Sequence, residues 1–139
     1  MLSCWFSKTM HPVPLPPADP MSKIVVLGAT PNRDRYSYKA VKALRKRHYD
    51  VVALGVQKGE IAGIVIQNDR PVLDDVDAVM LYLNPERQKP LYEYILSIKP
   101  RRIIFNPGTD NEELADLAEK NGIEVVRQCA LIMLTSDTF

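Results

Sequence analysis

A short stretch near the N-terminus carries the residues best suited to bind a phosphate. Ile24–Leu27 is apolar throughout, which predicts a strand buried in a parallel sheet. Gly28 then allows a turn without a Cβ atom in the way, and Thr30, Arg33 and Arg35 lead into a helical pattern. The first turn of a helix presents free N–H groups and a partial positive charge, both of which favour an anion. The stretch therefore predicts a ligand that carries phosphate.

The end of the second predicted strand narrows the class of ligand. The loop after the first strand, GATPNRD, lacks the G-x-G-x-x-G spacing of common dinucleotide-binding sites, and the P-loop pattern is absent. Asp50–Leu54 is the second predicted strand, and the acidic residue that would hold a ribose diol in NAD enzymes is missing after it. Lys58 follows instead. A lysine at this place favours a phosphate over a bare diol.

The sequence predicts neither a catalytic residue nor a metal site. The two histidines are isolated, and no Ser-His-Asp set or zinc spacing is present. Cys129 is either a reactive thiol, open to a mixed disulfide with the thiol of a ligand, or a buried small apolar residue. We expect the acidic run of Asp74, Asp75 and Asp77 to be a solvated loop rather than a metal site.

Alternating strands and helices must bring the phosphate-binding residues together. The predicted strands are Ile24–Leu27, Asp50–Leu54, Ala78–Leu83, Arg102–Phe105 and Ile123–Val126, with a short further strand at Ile64–Ile66. The predicted helices are Ser37–Arg47, one from Pro85 to Pro100, one capped by Asp110 and ended by Asn121-Gly122, and Ala130–Leu134. Residues 56–63 and 72–76 are predicted loops. This order predicts an α/β fold: a Rossmann-like doubly wound parallel β-sheet of about five strands with helices on both faces.

Length and composition limit the domain organisation and the partners. The 139 residues carry a formal net charge of +1, whereas nucleic-acid-binding domains are usually basic. No apolar run reaches the roughly 20 residues of a membrane span. Five prolines lie between His11 and Pro20, so we expect residues 1–20 to be a leader, disordered or not native, and residues 21–139 to be one domain. Two cysteines give no disulfide framework, which favours a reducing cytoplasm.

Four blocks of sequence, in this order, resemble one known family. They are VVLGATPNRDRYSYKAVKAL, VVALGVQKGEIAG, AVMLYLNPE, and FNPGTDNEEL with the later EVVRQC. In these blocks the chain resembles the small single-domain CoA-binding proteins related to the CoA-binding domain of succinyl-CoA synthetase. The resemblance covers Ser22 to about Leu134. It implies a cytoplasmic domain that binds coenzyme A (CoA) or an acyl-CoA.

The resemblance also implies where CoA would lie. Gly28, Ala29 and Thr30 would approach the pyrophosphate, with Arg33 and Ser37 nearby. From its place in the first turn of the helix, Tyr36 is expected at the rim of the ligand. The adenosine 3′-phosphate and the adenine would border the loop after the second strand, at Gly55, Val56, Gln57 and Lys58. Asn84 and Pro85 would line the third strand end, and Gly108 matches a characteristic family position. The chain departs from the family pattern at Gln57, where the family has proline, and in the Leu-Asn-Pro that ends the third block.

Three interpretations of the function stay open from the sequence. The first is a CoA-binding module with no catalytic group of its own. The second is a nucleotide-dependent enzyme, either an NAD(P) oxidoreductase or a CoA-transfer component that acts with a partner chain. The third is a regulatory scaffold that no longer holds a ligand. The CoA ligases that the chain resembles use a phosphorylated histidine on another domain, whereas His11 falls in the predicted leader and His48 at a helix end.

Overall fold

Five parallel strands form the centre of the protein. The computed structural model describes residues 22–139, so the predictions for residues 1–20 and for Met21 lie outside the described residues. The strands of the main sheet are β1 (Lys23–Leu27), β2 (Asp50–Leu54), β5 (Val76–Leu81), β6 (Arg102–Phe105) and β7 (Glu124–Val126). A separate hairpin consists of β3 (Glu60–Ile61) and β4 (Ile64–Val65). The helices are α1 (Tyr36–Lys46), α2 (Pro85–Gln88), α3 (Tyr92–Ser97), α4 (Glu112–Lys120) and α5 (Ala130–Thr135), and a 3-10 turn at Lys89–Leu91 joins α2 to α3.

The strand order of the main sheet is β2-β1-β5-β6-β7, and each neighbouring pair is parallel. The predicted fold class is confirmed: the protein has a Rossmann-like doubly wound α/β fold with five parallel strands. The chain passes from β1 outward to β2 and then returns to the other side of β1. The strand order therefore reverses between β1 and β5, and ligands of such sheets bind at the carboxyl ends of the strands beside this reversal.

Helices cover both faces of the sheet because the central strands are apolar on both sides. On one face, Ile24 and Val26 of β1 pack in one cluster with α1, α5 and the hairpin. On the other face, Val25 and Leu27 pack with α3 and α4. These four side chains are at most 2% exposed. Burying a side chain of this size contributes about 1.5–3 kcal/mol, so the sheet is a firm support for the loops at its ends.

The hairpin lies partly in a segment that the sequence predicts as a loop. That prediction is wrong for β3, which pairs antiparallel with β4. The turn between them has positive φ at both central residues, 50° at Ala62 and 85° at Gly63, as a type I′ turn requires. Strands of two residues are too short to show an alternating pattern. Ile61 is fully buried and fixes the hairpin to the core cluster that includes α1.

Asp77 is buried, so the prediction that it belongs to a solvated acidic loop is wrong. Its carboxylate is 4% exposed and accepts hydrogen bonds from Arg101 Nη1 at 2.7 Å and Arg102 Nη2 at 3.1 Å. These two partners allow a charged residue inside a strand. As a result β5 includes Asp77 and spans Val76–Leu81, two residues earlier than the predicted Ala78–Leu83.

Two predicted helix features differ in the structure. The helix from Pro85 to Pro100 is interrupted because Pro90 has no N–H group to donate, and the chain forms the 3-10 turn there. The cap of α4 is Asn111 rather than Asp110, since Asn111 Oδ1 accepts a hydrogen bond from Leu114 N at 3.3 Å.

Candidate functional site

The residues that the sequence assigned to a ligand all follow the carboxyl ends of four strands of the main sheet. After β1 come Gly28, Ala29, Thr30 and Arg33, with Tyr36 and Ser37 in the first turn of α1. After β2 come Gly55, Val56, Gln57 and Lys58. Asn84 and Pro85 follow β5, and Gly108 follows β6. Because carboxyl ends of parallel strands meet at one edge of a sheet, all these residues lie along that edge, here called the carboxyl edge.

Gly28 lies where the strand order reverses. Its φ is +97°, in the left-handed region that favours glycine. A Cβ atom on Gly28 would lie 3.1 Å from the carbonyl carbon of Tyr82, the first residue after β5. Tyr82 N in turn donates to Leu27 O at 2.9 Å. The β1 loop therefore crosses close over the end of β5, and a side chain at Gly28 would push the two apart.

The loops after β1 and β2 are packed directly on each other. Gly28 N and Ala29 N both donate to Leu54 O, at 2.9 and 3.0 Å. A Cβ atom on Gly55 would lie 2.2 Å from Ala29 O, so only glycine lets the loops approach this closely. Two of the backbone N–H groups that were expected near the pyrophosphate are thus already bonded within the protein. N–H donors for an anion must come from further along the β1 loop or from α1.

Side chains join the same two loops. The Thr30 hydroxyl donates to Gln57 Oε1. The Asn68 amide donates to Gly55 O at 2.7 Å and to Gln57 O at 3.1 Å. Asn68 is a site residue that the sequence analysis missed, because it lies beyond the hairpin and reaches the loop only after the chain has returned to the sheet. That return is a parallel bridge between Leu54 and Gln67.

The start of α1 is open to an anion. Arg35 occupies the N-cap position, and its side chain makes no capping hydrogen bond. The N–H groups of the first turn have no acceptor within a helix, and here no acidic residue lies in that turn. By contrast, Asn84 caps α2 and Asn111 caps α4. Ser37 is 4% exposed, so α1 would meet an anion with backbone N–H groups and not with a protruding hydroxyl.

Three cations lie on the β1 and β2 loops, up to this helix start. Arg33, Arg35 and Lys58 are exposed, and within residues 22–139 none of the three has an ion-pair partner. Guanidinium and ammonium groups make strong charge-assisted hydrogen bonds to phosphate. Tyr36 is also exposed, at 67%, and Lys39 Nζ lies 5.5 Å from its ring centroid. The carboxyl edge near β1 and β2 therefore offers three exposed cations to a ligand, with the carboxylate of Asp34 between the two arginines.

The part of the carboxyl edge near β5 and β6 is held by buried amides. Asn106, 2% exposed, donates to Leu81 O at 3.0 Å and accepts from Ala130 N at 2.8 Å. Gln88, fully buried, donates to Leu83 O and to Thr109 O, both at 2.8 Å. The sequence analysis missed both residues, although a polar residue directly after a buried strand is a usable signal for Asn106. The predicted Asn84 is engaged as a helix cap, accepting from Arg87 N at 3.0 Å.

Tyr82 and Cys129 lie behind this edge. The Tyr82 hydroxyl is buried and has no hydrogen-bond partner among residues 22–139. Burial raises the pKa of Tyr82 well above its usual range, and the electrostatic influence of the Cys129 side chain raises it further. Cys129 itself is a half-buried free thiol at the start of α5. Both interpretations of Cys129, reactive thiol and packing residue, therefore stay open.

The opposite, amino edge of the sheet has a different character. A hollow of about 730 Å³ there is bordered by charged residues of both signs: Asp74, Asp75, Asp77, Lys99 and Arg101. Acidic groups repel a phosphate, and Asp77 is already paired with two arginines. In the part of the chain that the structure describes, no group of three or more His, Cys, Asp or Glu residues is placed to hold a metal ion. No helix in residues 22–139 has the length and apolar character to cross a membrane.

Comparison with known proteins agrees with this geometry. The family model described as a CoA binding domain matches residues 22–135. The chain belongs to this family. The match covers all the strands and all the helices described above, and it confirms the resemblance seen in the four sequence blocks. Family membership supports CoA binding in general terms and leaves the bound form and any reaction open.

Solved structures also resemble this member of the CoA binding domain family. An uncharacterized protein is 49% identical, with a TM-score of 0.84 over 87% of this chain and 100% of its own. A hypothetical protein from Pyrococcus horikoshii OT3 is 21% identical, with a TM-score of 0.75 over 85% of this chain and 84% of its own. A Thermus thermophilus protein is 20% identical, with a TM-score of 0.71 over 99% of this chain and 96% of its own. The last two show the fold alone. No curated protein sequence matches the chain.

Proposed function

We propose that the protein binds CoA or an acyl-CoA across the carboxyl edge, with the ADP part over the ends of β1 and β2. The observation that carries the proposal is the uncapped start of α1 beside three unpaired cations at the reversal of strand order. An anion at this place gains the helix N–H groups and charge-assisted bonds together. Membership of the CoA binding domain family supports CoA as the source of that anion.

The pyrophosphate is proposed to lie against the first turn of α1. At Gly28 and Ala29 the backbone would come close to the pyrophosphate. It would donate no hydrogen bond there, since both N–H groups are bonded to Leu54 O. Arg33, on the loop before α1, would bind a pyrophosphate oxygen. Thr30, whose hydroxyl is hydrogen-bonded to Gln57, would border the same phosphates.

The 3′-phosphate of CoA is proposed to meet Lys58. Gln57 and Lys58 occupy the place after β2 where NAD enzymes carry an acidic residue for the ribose. An ammonium group there suits a phosphorylated ribose, whereas it offers nothing specific to a bare diol. Val56, 89% exposed, would provide apolar contact to the adenine.

The proposal assigns no chemical step to the chain itself. A cytoplasmic location is part of the proposal, supported by a sequence with only two cysteines and by the free thiol of Cys129.

Calorimetric titration and thermal unfolding of the full chain with CoA and with NADH test the proposal. Binding to the folded state stabilises it by about 2.7 kcal/mol at a ligand concentration a hundred times Kd, so CoA should raise the melting temperature in a concentration-dependent way. The double variant Arg33→Ala/Lys58→Ala should lose this response while its melting temperature without ligand stays that of the natural protein. Unchanged heats and melting temperature with CoA, together with binding of NADH, would show that the proposed ligand is wrong.

A further inference from the structure

The loop that bears Lys58 is exposed before the lysine and held after it, where Ile66 N donates to Gly59 O at 2.9 Å and Gly59 packs closely on Pro31. Val56, Gln57 and Lys58 are all exposed, and Val56 is 89% so. An exposed loop of this kind is normally mobile. A lysine on it can discriminate between ligands only if the loop backbone has a fixed position. The contacts that fix the loop therefore decide how well Lys58 can distinguish a ligand with the phosphate from one without it.

Asn68 holds this loop by its backbone. Its side-chain amide donates to Gly55 O at 2.7 Å and to Gln57 O at 3.1 Å. An amide nitrogen has two hydrogens, and both are used on carbonyl groups two residues apart. One side chain thus sets the separation of these carbonyls and with it the curvature of the loop directly before Lys58.

Asn68 is itself anchored on the sheet. Its neighbour Gln67 pairs with the end of β2 in a parallel bridge to Leu54. Gln67 N donates to Ala53 O at 2.9 Å, and Gly55 N donates to Gln67 O at 3.1 Å. The amide group of Asn68 therefore projects from backbone that belongs in effect to the main sheet. From the other side, the hydroxyl of Thr30 holds the side chain of Gln57.

We infer that Asn68 is a positioning residue that sets the preference of the site for a 3′-phosphorylated nucleotide by holding Lys58 in place. The inference rests on the proposed function and adds a residue that touches no phosphate. Loss of the Asn68 amide frees the Gly55 and Gln57 carbonyls to bond water, since the loop is exposed. The fold is then kept, but the ammonium group of Lys58 samples more positions.

The test measures Kd of the full chain for CoA and for dephospho-CoA, which lacks the 3′-phosphate, by calorimetry. Asn68→Ala should weaken CoA binding by about threefold to tenfold, as expected for loss of hydrogen bonds worth about 1 kcal/mol. Dephospho-CoA binding should change less, so the ratio of the two Kd values should move towards one. Asn121→Ala is the matched control, since Asn121 Nδ2 also donates to a backbone carbonyl, Leu117 O at 2.7 Å, but at the far end of α4. This control should leave both Kd values unchanged.

The double variant Asn68→Ala/Lys58→Ala separates positioning from a general structural effect. Sites that act through one another are not additive, so Asn68→Ala should leave the Kd ratio unchanged once Lys58 is absent. If the Asn68→Ala protein has the same ratio of Kd values for CoA and dephospho-CoA as the natural protein, the inference is overturned. This holds even if both ligands bind more weakly. A change of ratio that persists in full without Lys58 also overturns it. If the natural protein binds neither CoA nor dephospho-CoA, the proposed function itself fails.

Discussion

At the scale of single residues, the site depends on side chains that have no partner of their own. Arg33, Arg35 and Lys58 are exposed and have no ion-pair partner among residues 22–139, whereas some other basic residues are paired, as Arg47 is with Asp137 at 3.0 Å. Such pairs on a surface contribute little to stability, typically 0–1 kcal/mol. Cations without partners can give their full hydrogen-bonding capacity to a ligand. Their substitution should therefore affect binding far more than folding.

Lys58→Ala should lower affinity for CoA about tenfold or more, because a hydrogen bond to a charged group is worth roughly 1.5–3 kcal/mol. The preference for CoA over dephospho-CoA should narrow, whereas Arg33→Ala should weaken both ligands alike. Calorimetry on both ligands measures this, with Lys120→Ala at the exposed end of α4 as the control. Equal weakening by Lys58→Ala would place Lys58 on the pyrophosphate, and no change would remove the β2 loop from the site.

Tyr82 should make folding sensitive to alkaline pH. Burial raises the pKa of its hydroxyl above the value of about 10 for an unfolded chain, so the folded state binds this proton more tightly than the unfolded state. The resulting stability is fully present below pH about 10 and is lost as the pH rises further. Tyr82→Phe should lose less stability than the natural protein between pH 7.5 and about 10.5 in denaturant unfolding. Equal alkaline losses of stability in Tyr82→Phe and in the natural protein would contradict this account.

At the scale of elements, the site is formed by the contact between the β1 loop and the β2 loop. Gly55 and Ala29 meet there with no space for a methyl group, since a Cβ on Gly55 would lie 2.2 Å from Ala29 O. The contact keeps the start of α1 and the Lys58 loop at a constant separation. A ligand that spans both loops therefore finds its two contact regions already in place.

Gly55→Ala should destabilise the fold by at least about 2 kcal/mol, because overpacking against fixed backbone forces the two loops apart. Its CoA affinity should fall as well, since the two halves of the site separate. The matched control is Gly63→Ala, where the added Cβ meets open space and the cost of about 1 kcal/mol comes from a φ of +85°. Denaturant midpoints measure both losses, and an equal loss in the two variants would contradict the packing argument.

The elements of the main sheet could be predicted because buried parallel strands are continuous apolar runs. Asp50–Leu54 and Arg102–Phe105 agree residue for residue with the structure. Of the hairpin, β4 agrees with the short strand predicted at Ile64–Ile66, whereas β3 could not be predicted, since a two-residue strand leaves no periodic signal. Asp110 and Asn111 are both good caps, and only the path of the loop decides between them. Asp77 was misplaced because its two arginine partners lie about 25 residues away in sequence.

At the scale of the whole molecule, the two edges of the sheet differ in charge. The carboxyl edge near α1 has unpaired cations, whereas the hollow of the amino edge has three aspartates beside Lys99 and Arg101. The sequence predicted which residues follow the carboxyl ends, since that needs only the order of the elements. It could not predict that the N–H groups of Gly28 and Ala29 donate to Leu54 O. Nor could it predict that the side chain of Asn68 bonds to the β2 loop. Both depend on backbone contacts between segments distant in the chain.

Mapping the CoA site on the folded protein tests the central claim most directly. Backbone amide NMR shifts of the full chain, labelled with 15N, would be recorded during titration with CoA. We expect the largest shifts at residues 30–37 and 55–58, at the start of α1 and on the β2 loop. The amides of residues 73–76 and 99–101, around the hollow of the amino edge, should shift little. Largest shifts at the amino edge, or saturable binding without shifts at either loop, would contradict a CoA site at the reversal of strand order.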